Sequence, residues 1–157
     1  MLRKNFFDNH LGALIECVNF ASDEIMQIYN SESFDQEEKS DGSPLTIADK
    51  KSNEIILNSL KKISKDISII SEETFSEDLI KSLDQTYWLV DPLDGTKEFI
   101  NKTDEFTVNI AMINNKKVVF GIVGAPVTRK IWHGSIFEDV QSQNDSYDKL
   151  RIVTVSY

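Results

Sequence analysis

The sequence predicts an α+β fold in which two N-terminal helices pack on one face of a mostly antiparallel sheet. Three observations predict it. Apolar residues recur at helical spacing from Leu11 to Tyr29. A second helical stripe opens after Pro44-Leu45-Thr46. From Tyr87 onward, short apolar and β-branched runs alternate with turn residues, which suits hairpin-connected strands rather than helices.

Leu11, Leu14, Ile15, Val18, Ala21, Ile25, Ile28 and Tyr29 share one stripe, predicting a long helix from about Asp8 to Asn30. His10, near its start, has no second His or carboxylate at ligand spacing and reads as a solvated surface residue. Ser31 to Ser43 is polar and acidic and reads as a long loop. Thr46 followed by Asp49 resembles a capping box that opens the second helix, with Ile47, Ile55, Ile56, Leu60 and Ile63 as its apolar positions. On this spacing alone Asp49 is a cap residue. Ile67 to Ile70 reads as a strand that ends in Ser71-Glu72-Glu73, and Phe75 to Leu83 as a short helix. Tyr87 to Val90 reads as a buried strand that Pro92 should stop, because proline cannot donate to a sheet ladder. Thr96 then caps a short helix. Phe106 to Ile113 and Val118 to Ala125 form a hairpin about Asn114-Asn115-Lys116-Lys117. Lys130 to His133 suits another strand, with His133 structural, and Leu150 to Val155 a last one; Glu138 to Asp148 is polar without a period.

Composition narrows the function. With 157 residues, 40% hydrophobic and 27% charged, the chain can bury one core of common size. A net charge of -9 makes it a poor partner for a nucleic-acid polymer. A small anionic substrate remains possible, because a divalent metal reverses the local sign. Cys17 is the only cysteine, so neither an intrachain disulfide nor a cysteine zinc site can form. The start lacks a sustained apolar run after Met1-Leu2-Arg3-Lys4, and no apolar stretch reaches the about 20 residues that span a bilayer. The expected compartment is cytoplasmic.

The stretch most loaded with chemistry is Trp88-Leu89-Val90-Asp91-Pro92-Leu93-Asp94-Gly95-Thr96-Lys97-Glu98-Phe99. Two carboxylates stand three residues apart at the mouth of a strand, before a helix start. That pattern suits a hard cation on the carboxylates and a phosphate on free N–H groups. Asp-Pro-x-Asp-Gly is equally ordinary turn chemistry, so the segment alone leaves both readings open. Asp49 and Glu72 supply carboxylates at two further element ends, as a two-metal phosphatase site requires.

Taken together, Pro44-Leu45-Thr46-Ile47-Ala48-Asp49, Ser71-Glu72-Glu73, the Asp91 motif through Ile100, Glu105 to Ala111 and Gly121 to Pro126 resemble the inositol monophosphatase superfamily. Within it they are most similar to the CysQ-type 3'(2'),5'-bisphosphate nucleotidases. The similarity runs from about Leu11 to about Ile131 and implies the N-terminal, metal-binding half of that fold for residues 1–157, without its C-terminal α/β domain. It implies magnesium-dependent phosphomonoester hydrolysis, converting 3'-phosphoadenosine 5'-phosphate to AMP and phosphate. Inositol monophosphate or another sugar phosphate is the alternative substrate, and a non-catalytic metal- or phosphate-binding module the alternative role. The resemblance assigns Glu72, Asp91, the Leu93 carbonyl and Asp94 to two or three magnesium ions. It assigns Asp49 and Thr96 to water activation, and Glu72, Gly95 and Thr96 to substrate binding. The family's Trp-Asp-x-Ala ligand to the second ion has no counterpart, since Leu89 follows Trp88 and His133 follows Trp132. The expected partner is a small phosphorylated substrate, with a homodimer left open.

Overall fold

A computed structural model describes residues 4–31, 36–38, 44–76 and 84–143. Helix α1 (Lys4–Tyr29) leads to a short ladder of β1 (Gln36–Glu38) against β2 (Pro44–Thr46), and then to helix α2 (Ile47–Ile63). Strand β3 (Ser68–Ser71) ends in a single 3-10 turn at Glu72–Thr74. Strand β4 (Thr86–Asp94), helix α3 (Thr96–Ile100) and strands β5 (Thr107–Asn114), β6 (Lys117–Ala125), β7 (Lys130–Ser135) and β8 (Glu138–Gln143) complete the described residues. The main sheet has the order β3-β4-β5-β6-β7-β8. Among the described residues only the β3–β4 pair is parallel. The expected α+β plan with a mostly antiparallel sheet therefore holds.

The core lies between the helices and one sheet face. Leu14, Val18, Ala21 and Ile25 of α1 and Ile56 and Leu60 of α2 are buried with Trp88, Val90, Val108, Ile110, Met112 and Ile122. Alternation along β4 buries Trp88 and Val90, while Leu89 is 44% exposed and Asp91 half-buried on the other face. Helix α1 starts four residues before the expected Asp8 because Phe7 belongs to the core, stacked on Phe120 at 4.9 Å between centroids. His10 is half-buried rather than solvated. It stacks on Phe6 and lies 2.8 Å from the Phe6 carbonyl through Nδ1.

Strand β4 does not stop at Pro92. It passes through the proline as a bulge, because the register steps from Asp91↔Asn109 to Asp94↔Thr107, three residues on one strand against two on the other. Pro92 and Leu93 fall in the unpaired step, where a missing N–H costs no ladder bond. Glu138 to Gln143, read as polar without a period, forms strand β8, the last of the sheet among the described residues; a polar sequence suits an edge facing water. Part of the expected 31–43 loop is strand, since Gln36–Glu38 pairs with Pro44–Thr46. Of the expected helix at Phe75 to Leu83, Phe75 and Ser76 are not helical and the rest lies outside the described residues. The expected strand at Leu150 to Val155 also lies outside them. The hairpin turn uses Asn115 (φ 49°) and Lys116 (φ 62°), the two left-handed positions that a tight two-residue connection requires.

Helix α1 approaches β6 at Gly124, where an added Cβ would lie 2.3 Å from Val18 Cγ1. Val18 is buried and β-branched, so it has few rotamers into which to retreat. Gly124→Ala should destabilise the fold by roughly 1–3 kcal/mol through overpacking, lowering Tm by about 5 °C. An unchanged urea midpoint and Tm would show that α1 is not held this close to the sheet.

Candidate active site

The site is built where three segments end side by side. The parallel register sets Ser71 against Val90, so the next residues, Glu72 just past the end of β3 and Asp91 still within β4, stand side by side. The bulge then carries the chain through Pro92 and Leu93 to Asp94. Gly95 turns it with φ 94°, and a Cβ there would stand 2.7 Å from the Glu105 carbonyl oxygen, so backbone conformation and space both demand glycine. Gly95, not Thr96, is the N-cap of α3. Thr96 is the first helical residue, which leaves its hydroxyl free for another partner.

That partner is Asp49. Thr96 Oγ1 donates toward Asp49 Oδ1 at 3.0 Å, with the Leu93 carbonyl at 3.2 Å as a second acceptor. The other carboxylate oxygen, Asp49 Oδ2, accepts from Thr46 N at 2.7 Å and Thr46 Oγ1 at 2.6 Å. Asp49 is therefore both the cap expected from its spacing and a group that reaches into the site. It is fully buried, and helix α2 fixes it from below through the complete capping box.

Asp91 carries the electrostatic strain. Burial, then the Glu72 charge and a carboxyl–carboxylate hydrogen bond to Glu72, then Asp94, push its pKa up to about 8; the Leu93 N–H pulls weakly the other way. Its Oδ1 is buried without a hydrogen-bond partner, alone in this among the described residues. A buried acceptor with no donor, amid two further carboxylates, is costly unless a cation satisfies it. Oxygen-only donors of this kind suit a hard divalent ion such as magnesium rather than a soft metal. Asp94 is exposed, and Asn109 Nδ2 donates to its Oδ2 at 3.1 Å. Among the described residues no three acidic, His or Cys side chains are drawn tightly enough to enclose an ion. Glu72 and Asp91 are closed on each other, and Asp94 is tied to Asn109.

The structure thus pairs Asp49 with Thr96 and Glu72 with Asp91, sets Asp94 within electrostatic reach of Asp91, and places the Leu93 carbonyl beside the Thr96 hydroxyl. His133 lies on β7 apart from these residues, its pKa lowered by burial. Sequence reading missed Ser52, Asn53, Ser71 and Asn109. For Ser52 and Asn53 a signal existed: 49, 52, 53, 56 and 60 form one helical stripe, so these polar residues occupy core positions. Asn109 interrupts the apolar run Val108 to Ile113, but on the face where a polar residue reads as ordinary.

The Inositol monophosphatase family matches residues 8–155. The 3'(2'),5'-bisphosphate nucleotidase CysQ of Salmonella typhimurium is 44% identical over 116 residues, 73% of this chain and 47% of that protein. The protein of the same description from Escherichia coli K12 is 45% identical over 118 residues, 74% of this chain and 48% of its own length. The crystal structure of CysQ from Bacteroides thetaiotaomicron, described as a bacterial member of the inositol monophosphatase family, superposes with a TM-score of 0.74 at 34% identity. It covers 96% of this chain and 54% of that one. The suhB protein of Bartonella henselae shares the fold with a TM-score of 0.75 at 23% identity. The chain spans about half the length of the relatives it matches.

The Asp91–Glu72 pair makes metal-free stability depend on pH. With its folded pKa raised to about 8 from 3.8, the folded state holds a proton that the unfolded chain releases, so stability falls as pH rises between those values. In chelator, Asp91→Asn should raise Tm at pH 8 by about 2–4 °C and have little effect near pH 4. A variant less stable than the parent at pH 8 in chelator would contradict this account of Asp91.

Proposed function

The chain belongs to the inositol monophosphatase family, and from that premise we propose that it is the metal-binding part of a magnesium-dependent phosphomonoesterase acting on 3'-phosphoadenosine 5'-phosphate. The relatives described as 3'(2'),5'-bisphosphate nucleotidases support the substrate class. The observation that carries the chemistry is the Asp49–Thr96 hydrogen bond, set beside the unpartnered Asp91 Oδ1.

Glu72, Asp91, the Leu93 carbonyl and Asp94 would hold the magnesium ions. Bound magnesium supplies a more acidic water and neutralises charge on the phosphoryl group. Thr96 donates its only hydroxyl proton toward Asp49 Oδ1, so its oxygen is left as an acceptor facing the site. A water donating to Thr96 Oγ1 is thereby oriented with a lone pair toward phosphorus. As it attacks, its proton passes to Thr96 Oγ1 and the threonine proton to Asp49 Oδ1. The phosphorus–ester oxygen bond breaks opposite, and the leaving alcohol takes a proton from solvent. Thr46 holds Asp49 Oδ2 with two donors, which fixes the carboxylate plane and leaves Oδ1 for this relay. The N–H groups of Gly95 and Thr96, at the start of α3, are free of intrahelical acceptors and would bind phosphoryl oxygens. The partner is a small phosphorylated molecule, and the proposed compartment is the cytoplasm. No helix among the described residues is long and apolar enough to cross a membrane.

The test is magnesium-dependent phosphate release by the chain, with 3'-phosphoadenosine 5'-phosphate and inositol 1-phosphate compared side by side. Thr96→Val and Asp49→Asn should lower kcat about 100-fold or more while magnesium still binds, and Asp91→Ala should abolish binding and turnover together. Preference for inositol phosphate would overturn the substrate, and undiminished turnover by Asp49→Asn would overturn the relay.

A further inference from the structure

We propose that Ser52 and Asn53 of α2 are positioning residues for the metal centre, each fixing the backbone that carries a proposed ligand. The inference rests on the magnesium reading above and extends it to residues that touch neither ion nor substrate.

The buried polar side chains among the described residues are Thr46, Asp49, Ser52, Asn53 and Ser71, and each makes a side-chain hydrogen bond. Asp49, Ser52 and Asn53 share a face of α2 at i, i+3 and i+4. Each grips a different segment of the site. Asp49 holds Thr96 at the start of α3. Ser52 Oγ donates to the Pro92 carbonyl at 2.7 Å. Asn53 Oδ1 accepts from Ser71 Oγ at 2.6 Å, one residue before Glu72.

The Ser52 bond stands where the sheet gives no support. Pro92 and Leu93 lie in the unpaired step between Asp91↔Asn109 and Asp94↔Thr107. No ladder bond fixes how far the chain rotates there, yet that rotation sets the spacing of Asp91, the Leu93 carbonyl and Asp94. Ser52 replaces the missing ladder bond from the helix side. The Asn53 bond has a parallel cause. Among the described residues strand β3 pairs only with β4, and Ser71 is its last residue. Asn53 anchors that end from the helix, which fixes the point from which Glu72 leaves. One rigid helix thus aligns the three segments by three side chains on a single face. Partners behind a ligand that are ordered in this way typically govern metal affinity about 10–100-fold.

Buried hydrogen bonds also stabilise a fold without serving a site, so a comparison within the same helix is needed. Ser64, the C-cap of α2, accepts from Trp88 Nε1 at 2.8 Å on the same strand β4 and holds no segment of the site. The experiment measures Mn²⁺ affinity by loss of the free-ion electron paramagnetic resonance signal, together with Tm in chelator. The proteins compared are the parent chain, Ser52→Ala, Ser52→Thr, Asn53→Ala, Ser71→Ala and Ser64→Ala. Ser52→Ala and Asn53→Ala should weaken Mn²⁺ about 10–100-fold, Ser52→Thr should recover most of the loss, and Ser64→Ala should lower Tm with affinity unchanged. Ser71→Ala removes only the donor and serves where Asn53→Ala does not fold; it should weaken binding in the same direction. Parent-like affinity in Ser52→Ala, or an equal loss in Ser64→Ala, would overturn the positioning role and leave the metal reading standing. A parent chain that binds no Mn²⁺ would overturn the metal reading itself.

Discussion

A buried carboxyl oxygen without a donor governs this molecule. The backbone at Asp91 is held in place, because Val90 before it is buried in the core and Pro92 and Leu93 after it are buried as well. Glu72 is brought against it by the parallel register of β3 and β4. The arrangement is unfavourable in the bare chain, since two acids share a proton where solvent is scarce. The same features that make it unfavourable suit it to holding a cation. Desolvation strengthens the attraction of the carboxylates for a divalent ion, and the ion removes the repulsion between them.

Such a site needs rigid walls, because the carboxylates would otherwise swing apart. A regular strand could not bring Asp91, the Leu93 carbonyl and Asp94 to one side, since alternate residues point to opposite faces. The proline bulge breaks that alternation, at the expense of ladder bonds. The helix then supplies what the ladder does not, through Ser52 to the Pro92 carbonyl and Asp49 to Thr96. Bulge and helix face are therefore one device, and neither would serve without the other.

Much of this was legible in the sequence, for reasons that differ by element. The helical stripes and the hairpin could be read because core burial imposes a period on both. The Asp49, Glu72, Asp91 and Thr96 set rests on family resemblance; by spacing alone Asp91 and Asp94 were as much a turn as a metal site. Proline misled, because the rule that it ends a strand ignores the bulge that tolerates it. Strand β8 was hidden because an edge strand need not carry an apolar face. Thr96 was read as a cap, whereas Gly95 takes that place and frees the hydroxyl for Asp49. That difference of one residue separates a helix signal from a chemical one.

The helix α2 stripe shows how far a pattern argument extends. Positions 49, 52, 53, 56 and 60 all face inward, and three of them are polar. A polar residue at a core position is normally unfavourable, because burial of an unpaired group costs more than the hydrogen bond returns. It persists only where a fixed partner waits. Here the partners are the Thr96 hydroxyl, the Pro92 carbonyl and the Ser71 hydroxyl, and each lies on the backbone path of a proposed ligand or relay residue. The stripe changes character along its length, from Ile56 and Leu60 packed in the core to Asp49, Ser52 and Asn53 facing the site. The point of change marks where the helix stops packing on the sheet and starts to bind the segments that carry the proposed site.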